Sequence, residues 1–202
     1  MTADVSSSRS GPFSTTSRSY VLLLLTLVYT FNHIDRQILV ILLEPIKADL
    51  DLNDTQLGLL SGLAFAAFYA TLGIPIAMWA DRSNRRTIIT LALAVWSGMT
   101  ALSGLAQNYW HLLIARMGVG VGEAGGTPPA TSIISDLYGP QERATALGIY
   151  TTGIGIGILA GFIIGGYVYE IWGWRAAFFI AGVPGLLLAL LVRFTLKEPV
   201  RG

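Results

Sequence analysis

The sequence contains no cysteine and few charged residues. The absence of cysteine excludes disulfide bonds, thiolate metal sites and a cysteine nucleophile. Charged residues make up 12% of the chain and hydrophobic residues 53%, whereas ordinary soluble domains carry roughly 25% charged residues. A soluble core cannot bury that excess of apolar side chains, so the composition indicates a membrane protein.

Long apolar runs predict membrane-spanning helices. Each run is close to the ~20 residues that a helix needs to cross the hydrocarbon. The runs cover residues 19–43, 56–80, 87–106, 110–134, 144–169 and 175–196. Membrane strands would alternate polar and apolar residues, and runs such as VLLLLTLVY do not alternate. We therefore predict an all-α integral membrane protein with a bundle of six transmembrane helices.

The segments between the runs predict the topology. Residues 1–18 are polar and lack the apolar core of a signal peptide, so we expect a disordered cytoplasmic tail there. A transmembrane domain over 19–196 and the start of a central cytoplasmic loop at 197–202 follow. The outer loops, at 44–55, 107–109 and 170–174, then hold only Lys47 and Arg175.

Basic residues are concentrated on the other side, which by the positive-inside rule places both ends in the cytoplasm. These cytoplasmic cations are Arg9, Arg18, Arg82, Arg85, Arg86, Arg143, Arg193, Lys197 and Arg201. A nucleic-acid-binding stripe would need its cations on one face of a soluble domain, so we expect no nucleic-acid partner.

Four charged residues lie deep inside the predicted spans, away from the ends. Asp35 and Arg36 lie in the first span, and Arg116 and Glu123 lie in the fourth. A charge at this depth costs at least ~2.5–3.5 kcal/mol, so each needs a partner or a water-filled cavity. The four residues either join the two helices as a neutral cluster or line a substrate or ion pathway. His33, one turn before Asp35, either extends that network or packs as a hydrogen-bonded core residue.

The depths of these residues suggest which acid titrates. At ~1.5 Å per residue, Asp35, Arg36 and Arg116 share one level, and Glu123 lies deeper on the same face as Arg116. Nearby cations hold an acid ionised, and Glu123 depends mainly on the reach of Arg116. We predict that Glu123 is the proton-titrating group, with Asp35 as the second candidate, and that Arg116 moves between the two acids.

Glycine and proline predict local features of the helices. Gly157, Gly161 and Gly165 recur at four-residue spacing in the fifth span, where small residues let helix backbones approach closely. Asn53, Asp54 or Thr55 is expected to cap the second helix. Kinks are expected at Pro75 and at Pro128-Pro129, and Gly139-Pro140 is expected to stop one helix and start the next.

An enzyme is not expected. An intramembrane protease needs a serine with a histidine, or two aspartates, at membrane depth. The two histidines are His33 and His111, and Asp35 has no aspartate partner. We therefore predict no catalytic residue, metal or cofactor, while a membrane adaptor that binds without transporting stays open.

Three segments resemble signatures of the major facilitator superfamily. The loop ADRSNRR resembles Gly-x-x-x-Asp-Arg-x-Gly-Arg-Arg, with matches at Asp81, Arg82, Arg85 and Arg86. Ala77 and Asn84 stand where the signature has glycines, and Asn tolerates the left-handed turn. Helix four carries Arg116-x-x-x-Gly120-x-Gly122, and helix five carries a glycine series similar to the antiporter signature with Phe162 in place of proline.

The chain is more closely similar to the Spinster family and its bacterial homologues. The segments that carry this resemblance include FNHIDRQILVILLEPIKADL, RMGVGVGEAGGTPPA and GWRAAFFIAGVPG. The resemblance implies a proton-coupled carrier of amphipathic lipids, such as lysophospholipids or sphingosine-1-phosphate-like molecules, in a bacterial inner membrane. It also implies that Asp35, Arg36, Arg116 and Glu123 line a central cavity.

The superfamily is built from two six-helix halves, each made of two inverted three-helix repeats. The chain would supply the amino-terminal half. We therefore expect it either to assemble as a dimer or to be a fragment whose partner is the C-terminal six-helix half. The predicted partners are therefore that half, protons, membrane lipid and a small-molecule or lipid substrate. The alternative substrate is a small organic anion such as a sugar phosphate, bound by Arg36 and Arg116.

A cytoplasmic gate is predicted at the feet of the second and fifth helices, which are paired elements of the two repeats. It would include Asp81, Arg82, Arg85, Arg86 and Arg143, with an ion pair between Asp81 and Arg143. Such a pair is worth little if fully solvated. The alternative is that these are independent loop charges.

Overall fold

The computed structural model describes residues 15–199, except for the side chains of 15, 16, 64, 77, 80 and 81. Every regular element in this range is helical, which confirms the predicted all-α fold. The elements are α1 (Thr15–Leu50), α2 (Asp54–Gly58), a π-helical turn (Leu59–Leu63), α3 (Ala64–Arg82), α4 (Arg85–Ser103), α5 (Tyr109–Ala124), α6 (Thr127–Leu137), α7 (Pro140–Ile163), a second π-helical turn (Ile164–Val168) and α8 (Tyr169–Thr195).

Within the described residues, three helical stretches are long and apolar enough to cross a membrane. They are Asp54–Ile76, Arg85–Ser103 and Pro140–Thr195. The last has 56 residues, about twice what one crossing of ~30 Å needs at ~1.5 Å per residue. Charges lower the hydropathy of α1, and α5 is only 16 residues long. The count of six spans therefore stays a prediction.

Local sequence explains where several helices begin. Asn53 caps α2 in a capping box, because its side chain accepts from the Gln56 backbone N–H while the Gln56 side chain accepts from Asn53 N–H. Gly139 precedes α7 and Pro140 occupies its first turn, as predicted. The proline pair lies in the first turn of α6, where helix four is interrupted between α5 and α6. Pro75 lies inside an unbroken α3.

Helix boundaries differ from the prediction at both ends of α1. The helix begins at Thr15, so residues 15–18 are helical instead of belonging to the tail, and residues 1–14 lie outside the description. At its other end α1 continues to Leu50, although an outer loop was expected from residue 44. The segment after the apolar run contains good helix formers, so the helix continues past the length that hydropathy alone detects.

The expected outer loop at 170–174 is reduced to a kink. Two helices meet there at Gly173, whose backbone is not helical (φ 79°, ψ 169°), so the chain changes direction inside the predicted loop segment. A side chain is strained at this φ, whereas glycine adopts it freely. Residues 197–199 follow α8 as non-helical chain, while 200–202 lie outside the description.

Glycine residues allow two pairs of helices to pack closely. The most extensive packing joins α1 to α7 and α4 to α8. A Cβ added at Gly157 would lie 2.5 Å from Thr30 O and 2.6 Å from His33 Cβ, so α7 approaches α1 as closely as glycine allows. Gly161 meets Gln37 and Gly165 meets Ile41 in the same way. The predicted glycine series therefore lies along α1.

We predict that Gly157→Ala destabilises the protein, whereas Gly155→Ala does not. The first variant forces a methyl group against the α1 backbone, and overpacking of this kind costs typically ~1–3 kcal/mol. Gly155 has nothing within 4 Å of an added Cβ, which makes it the matched control on the same helix. Thermal unfolding in detergent should show a lower midpoint for Gly157→Ala alone; equal midpoints would contradict the close-packing interpretation.

Candidate functional site

The charged residues of α1 and α5 meet inside the helix bundle. Asp35, Arg116 and Glu123 are 1%, 3% and 1% exposed, so their charges are withdrawn from solvent. Arg36 is partly exposed and pairs with Glu123, with 2.6 Å between Arg36 Nε and Glu123 Oε2. This pair joins α1 to α5 and offsets part of the free-energy cost of burying the Glu123 carboxylate.

Both arginines contact the same aromatic ring. The guanidinium carbon of Arg36 is 5.0 Å from the centre of the Phe65 ring, and that of Arg116 is 5.4 Å from the same ring. Tyr69 adds a second ring, 5.3 Å from Arg36 and stacked on Phe65. Cation–π contact stabilises the two like charges near each other. Sequence analysis missed Phe65 and Tyr69, because an aromatic residue in an apolar helix gives no distinct signal.

Asp35 differs from Glu123 in its partners. Neither carboxylate oxygen of Asp35 has a hydrogen-bond partner in the described part of the chain, whereas Glu123 lacks one only at Oε1. Arg116 Nε is also without a partner there. Glu123 and Arg116 act on Asp35 through space, and Thr100 of α4 lies near its carboxyl group. The site thus holds one paired acid and one acid without an ion pair.

The structure corrects the predicted partner of Glu123. Arg116, on the same helix, was the expected partner, but the ion pair is formed by Arg36 of α1. Depth along an ideal straight helix depends only on residue number. The length of the Arg36 side chain and the rotation of α1 about its axis together bring the guanidinium to the level of Glu123.

His33 lies at the interface between α1 and α7. Its Nδ1 donates to Tyr29 O at 3.0 Å, and its ring meets the Tyr29 ring edge to face at 4.6 Å. Its Cβ faces Gly157. These contacts correspond to the hydrogen-bonded packing residue that the sequence allowed, and a role in coupling stays a prediction.

A second charged cluster lies at the predicted cytoplasmic end. Arg85 is buried and binds Asp136 at 2.5 Å and Glu198 at 2.9 Å, with further bonds to Ser132 and to Pro199 O. These contacts join the start of α4 to the end of α6 and to the chain that follows α8. Asp136 and Glu198 were missed, since a single acid near a helix end does not identify its partner.

The predicted ion pair between Asp81 and Arg143 falls partly outside the described residues. Asp81 lies in the last turn of α3, and its side chain is outside the description. Arg143 donates from Nη2 to Ser135 O at 2.9 Å, which connects α7 to the end of α6. Arg82 is exposed, and the Arg86 backbone N–H donates to Glu198. Gating by these residues remains a prediction.

Comparison with known proteins identifies the fold. The family model described as Major Facilitator Superfamily matches residues 25–202. A solved bacterial homologue of the human lysosomal transporter Spinster, in an inward-facing and unoccupied conformation, superposes with a TM-score of 0.88 and 45% identity. The match covers 94% of this chain and 45% of that protein.

Several proteins similar in sequence to this chain are named as transporters. An MFS-type efflux pump of Mycolicibacterium smegmatis is 39% identical over 83% of this chain and 39% of its own length. A probable L-galactonate transporter of Escherichia coli is 30% identical, over 84% of this chain and 37% of the relative. The sphingosine-1-phosphate transporter SPNS2 of Danio rerio is 29% identical, over 85% of this chain and 34% of the relative.

The chain spans less than half the length of each of these proteins. The family model nevertheless matches most of the chain, and the bacterial Spinster homologue matches nearly all of it at 45% identity. The chain therefore belongs to the major facilitator superfamily, and within it to the Spinster-type members.

Proposed function

We propose that this chain forms the amino-terminal half of a proton-coupled secondary transporter for amphipathic lipids. The observation that carries the proposal is the cluster of three buried charged residues, Asp35, Arg116 and Glu123, with Arg36 paired to Glu123. Charges at this depth belong to substrate and ion pathways far more often than to packing. Its second half would come from the same protein or a partner, since alternating access needs two.

A lipid with an anionic head group fits the residues around the pair. Arg36 and Arg116 offer guanidinium groups that suit phosphate, and Phe65 and Tyr69 offer an apolar wall beside them. The Spinster-type relatives, one of which is named a sphingosine-1-phosphate transporter, support this substrate class.

A small organic anion is the second candidate. The relative named a probable L-galactonate transporter favours it, because a carboxylate would use the same two arginines. Uptake of labelled lysophospholipid and of labelled L-galactonate into proteoliposomes, each with and without an inward proton gradient, separates the two. Gradient-dependent uptake of the lipid alone supports the proposal; uptake of L-galactonate alone would replace it, and uptake of neither would contradict both.

The geometry favours Asp35 above Glu123 as the coupling group. Glu123 is already compensated by Arg36, whereas a buried carboxylate with no ion pair is stabilised by taking up a proton. Binding a proton at Asp35 would change the charge near Arg116 and so alter the attraction between α1 and α5. This reverses the order that sequence analysis assigned to the two acids.

We expect Asp35→Asn to abolish accumulation driven by the proton gradient while exchange of substrate across the membrane continues. The amide resembles the protonated acid in shape but cannot release a proton. Glu123→Gln is the matched comparison and should lower substrate affinity, roughly tenfold, because a partner of Arg36 is weakened. Proteoliposome uptake as a function of internal and external pH measures both. Gradient-driven accumulation by Asp35→Asn with the original pH profile would return the role to Glu123.

For topology, we propose that both ends are cytoplasmic, in a bacterial inner membrane. Because the chain has no cysteine, single cysteines can be introduced without background. Cysteines at Asn53 and Glu170, both exposed, should react with an impermeant thiol reagent from outside, and one at Gln141 should react only after permeabilisation. The reverse pattern would invert the assignment.

A further inference from the structure

Thr100 has a buried hydroxyl group that makes no hydrogen bond to the backbone of its own helix. The residue lies in α4, is 1% exposed, and its Oγ1 has no hydrogen-bond partner among the described residues. An unsatisfied buried hydroxyl costs about 1–3 kcal/mol. A position of this kind therefore calls for a specific partner.

Other threonines in these helices behave differently. Thr26 donates to Leu22 O at 2.8 Å, Thr30 donates to Thr26 O at 2.9 Å, and Thr90, on α4 itself, donates to Arg86 O at 2.8 Å. This bond to the carbonyl four residues earlier is the usual way for a helix to satisfy a threonine. Thr100 does not make it, so its hydroxyl is free to turn toward another group.

The group beside it is the Asp35 carboxyl of α1. Thr100 is close enough to the Asp35 carboxyl group to interact with it, yet neither group has a hydrogen bond of regular geometry among the described residues. A small change in the side-chain torsion of Thr100 would therefore bring two buried groups without hydrogen bonds together. Both are buried, so water does not compete freely for either of them.

Thr100 differs chemically from every charged neighbour of Asp35. Glu123 and Arg116 reach Asp35 from α5, and Arg36 follows it in α1. The arginines of α4, Arg85 and Arg86, lie at the opposite end of that helix. A hydroxyl donates to a carboxylate and accepts from a carboxylic acid, whereas an arginine can only donate and an ionised glutamate can only accept.

The position of Thr100 is held by the contact between α4 and α8. A Cβ added at Gly182 would lie 2.5 Å from Ala101 N, and one at Gly185 would overlap the Ser97 side chain. The two helices thus pack backbone to backbone on either side of Thr100 in sequence. Such rigid support is what allows a side chain to orient a functional group.

We propose that Thr100 is a positioning residue for Asp35, with its hydroxyl donating to the ionised carboxylate and accepting from the protonated acid. It would hold the carboxyl on α4 in both states and set how readily Asp35 releases its proton. This inference rests on the proposed role of Asp35 in coupling. No atom is transferred to Thr100; the proton passes between Asp35 and water of the transport pathway.

The test compares Thr100→Val with Thr90→Val. Valine keeps the shape of threonine and removes the hydroxyl, and at Thr90 it removes only a bond within α4. Infrared titration of the full protein follows the carboxyl signal that disappears in Asp35→Asn. We expect Thr100→Val to move the midpoint of that signal, and of pH-dependent lysophospholipid uptake, to higher pH by about one unit, which is a tenfold change in proton affinity. Thr90→Val should leave both midpoints unchanged, and Thr100→Ser should restore them.

The outcomes separate this inference from the proposed function. If Asp35→Asn removes no titrating carboxyl signal, Asp35 does not carry the proton. The assignment of the coupling group to Asp35 and the role of Thr100 are then both overturned, while lysophospholipid uptake still tests the transporter itself. If the signal is present but Thr100→Val titrates like the parent protein, Thr100 is only a packing residue and the inference alone is wrong. Thr100→Ala is measured in parallel, so that a folding defect of the valine variant does not decide the result.

Discussion

The low polarity of the membrane interior is the constraint on which the arrangement of this protein depends. A charge there must be paired, hydrogen-bonded or in contact with a cavity. Arg36 and Glu123 meet this requirement with an ion pair between α1 and α5, and Arg116 faces the ring of Phe65. Among the described residues Asp35 is the exception, because neither of its carboxylate oxygens has a hydrogen-bond partner, and this makes it a candidate functional residue.

Close packing by glycine keeps these charges in register. Two helix pairs, α1 with α7 and α4 with α8, pack through Gly157 and Gly182 at distances that no larger residue permits. The acids and arginines project from α1 and α5, while α4 presents Thr100 to Asp35. Because packing in lipid has little hydrophobic driving force, this backbone contact supplies the stability that the polar residues themselves do not.

The cluster around Arg85, at the predicted cytoplasmic end, has a different arrangement. Arg85 binds acids from α6 and from the chain after α8, so it connects three parts of the fold at one end. A buried arginine with two acids is weak as a source of net stability but strong in fixing geometry. The charged site of α1 and α5, by contrast, leaves the Asp35 carboxylate without an ion pair among the described residues.

The sequence by itself determined the membrane class, the helical fold, the family and the four charged residues of the site. These depend on composition, hydropathy and short motifs, which are properties of neighbouring residues along the chain. Only the tertiary structure decided that Arg36 pairs with Glu123, that Phe65 contacts both arginines, and that Thr100 lies near Asp35. Each of these contacts joins different helices. The rotation of a helix about its axis and the reach of its side chains are set by packing across the bundle, so periodicity within one helix cannot reveal them.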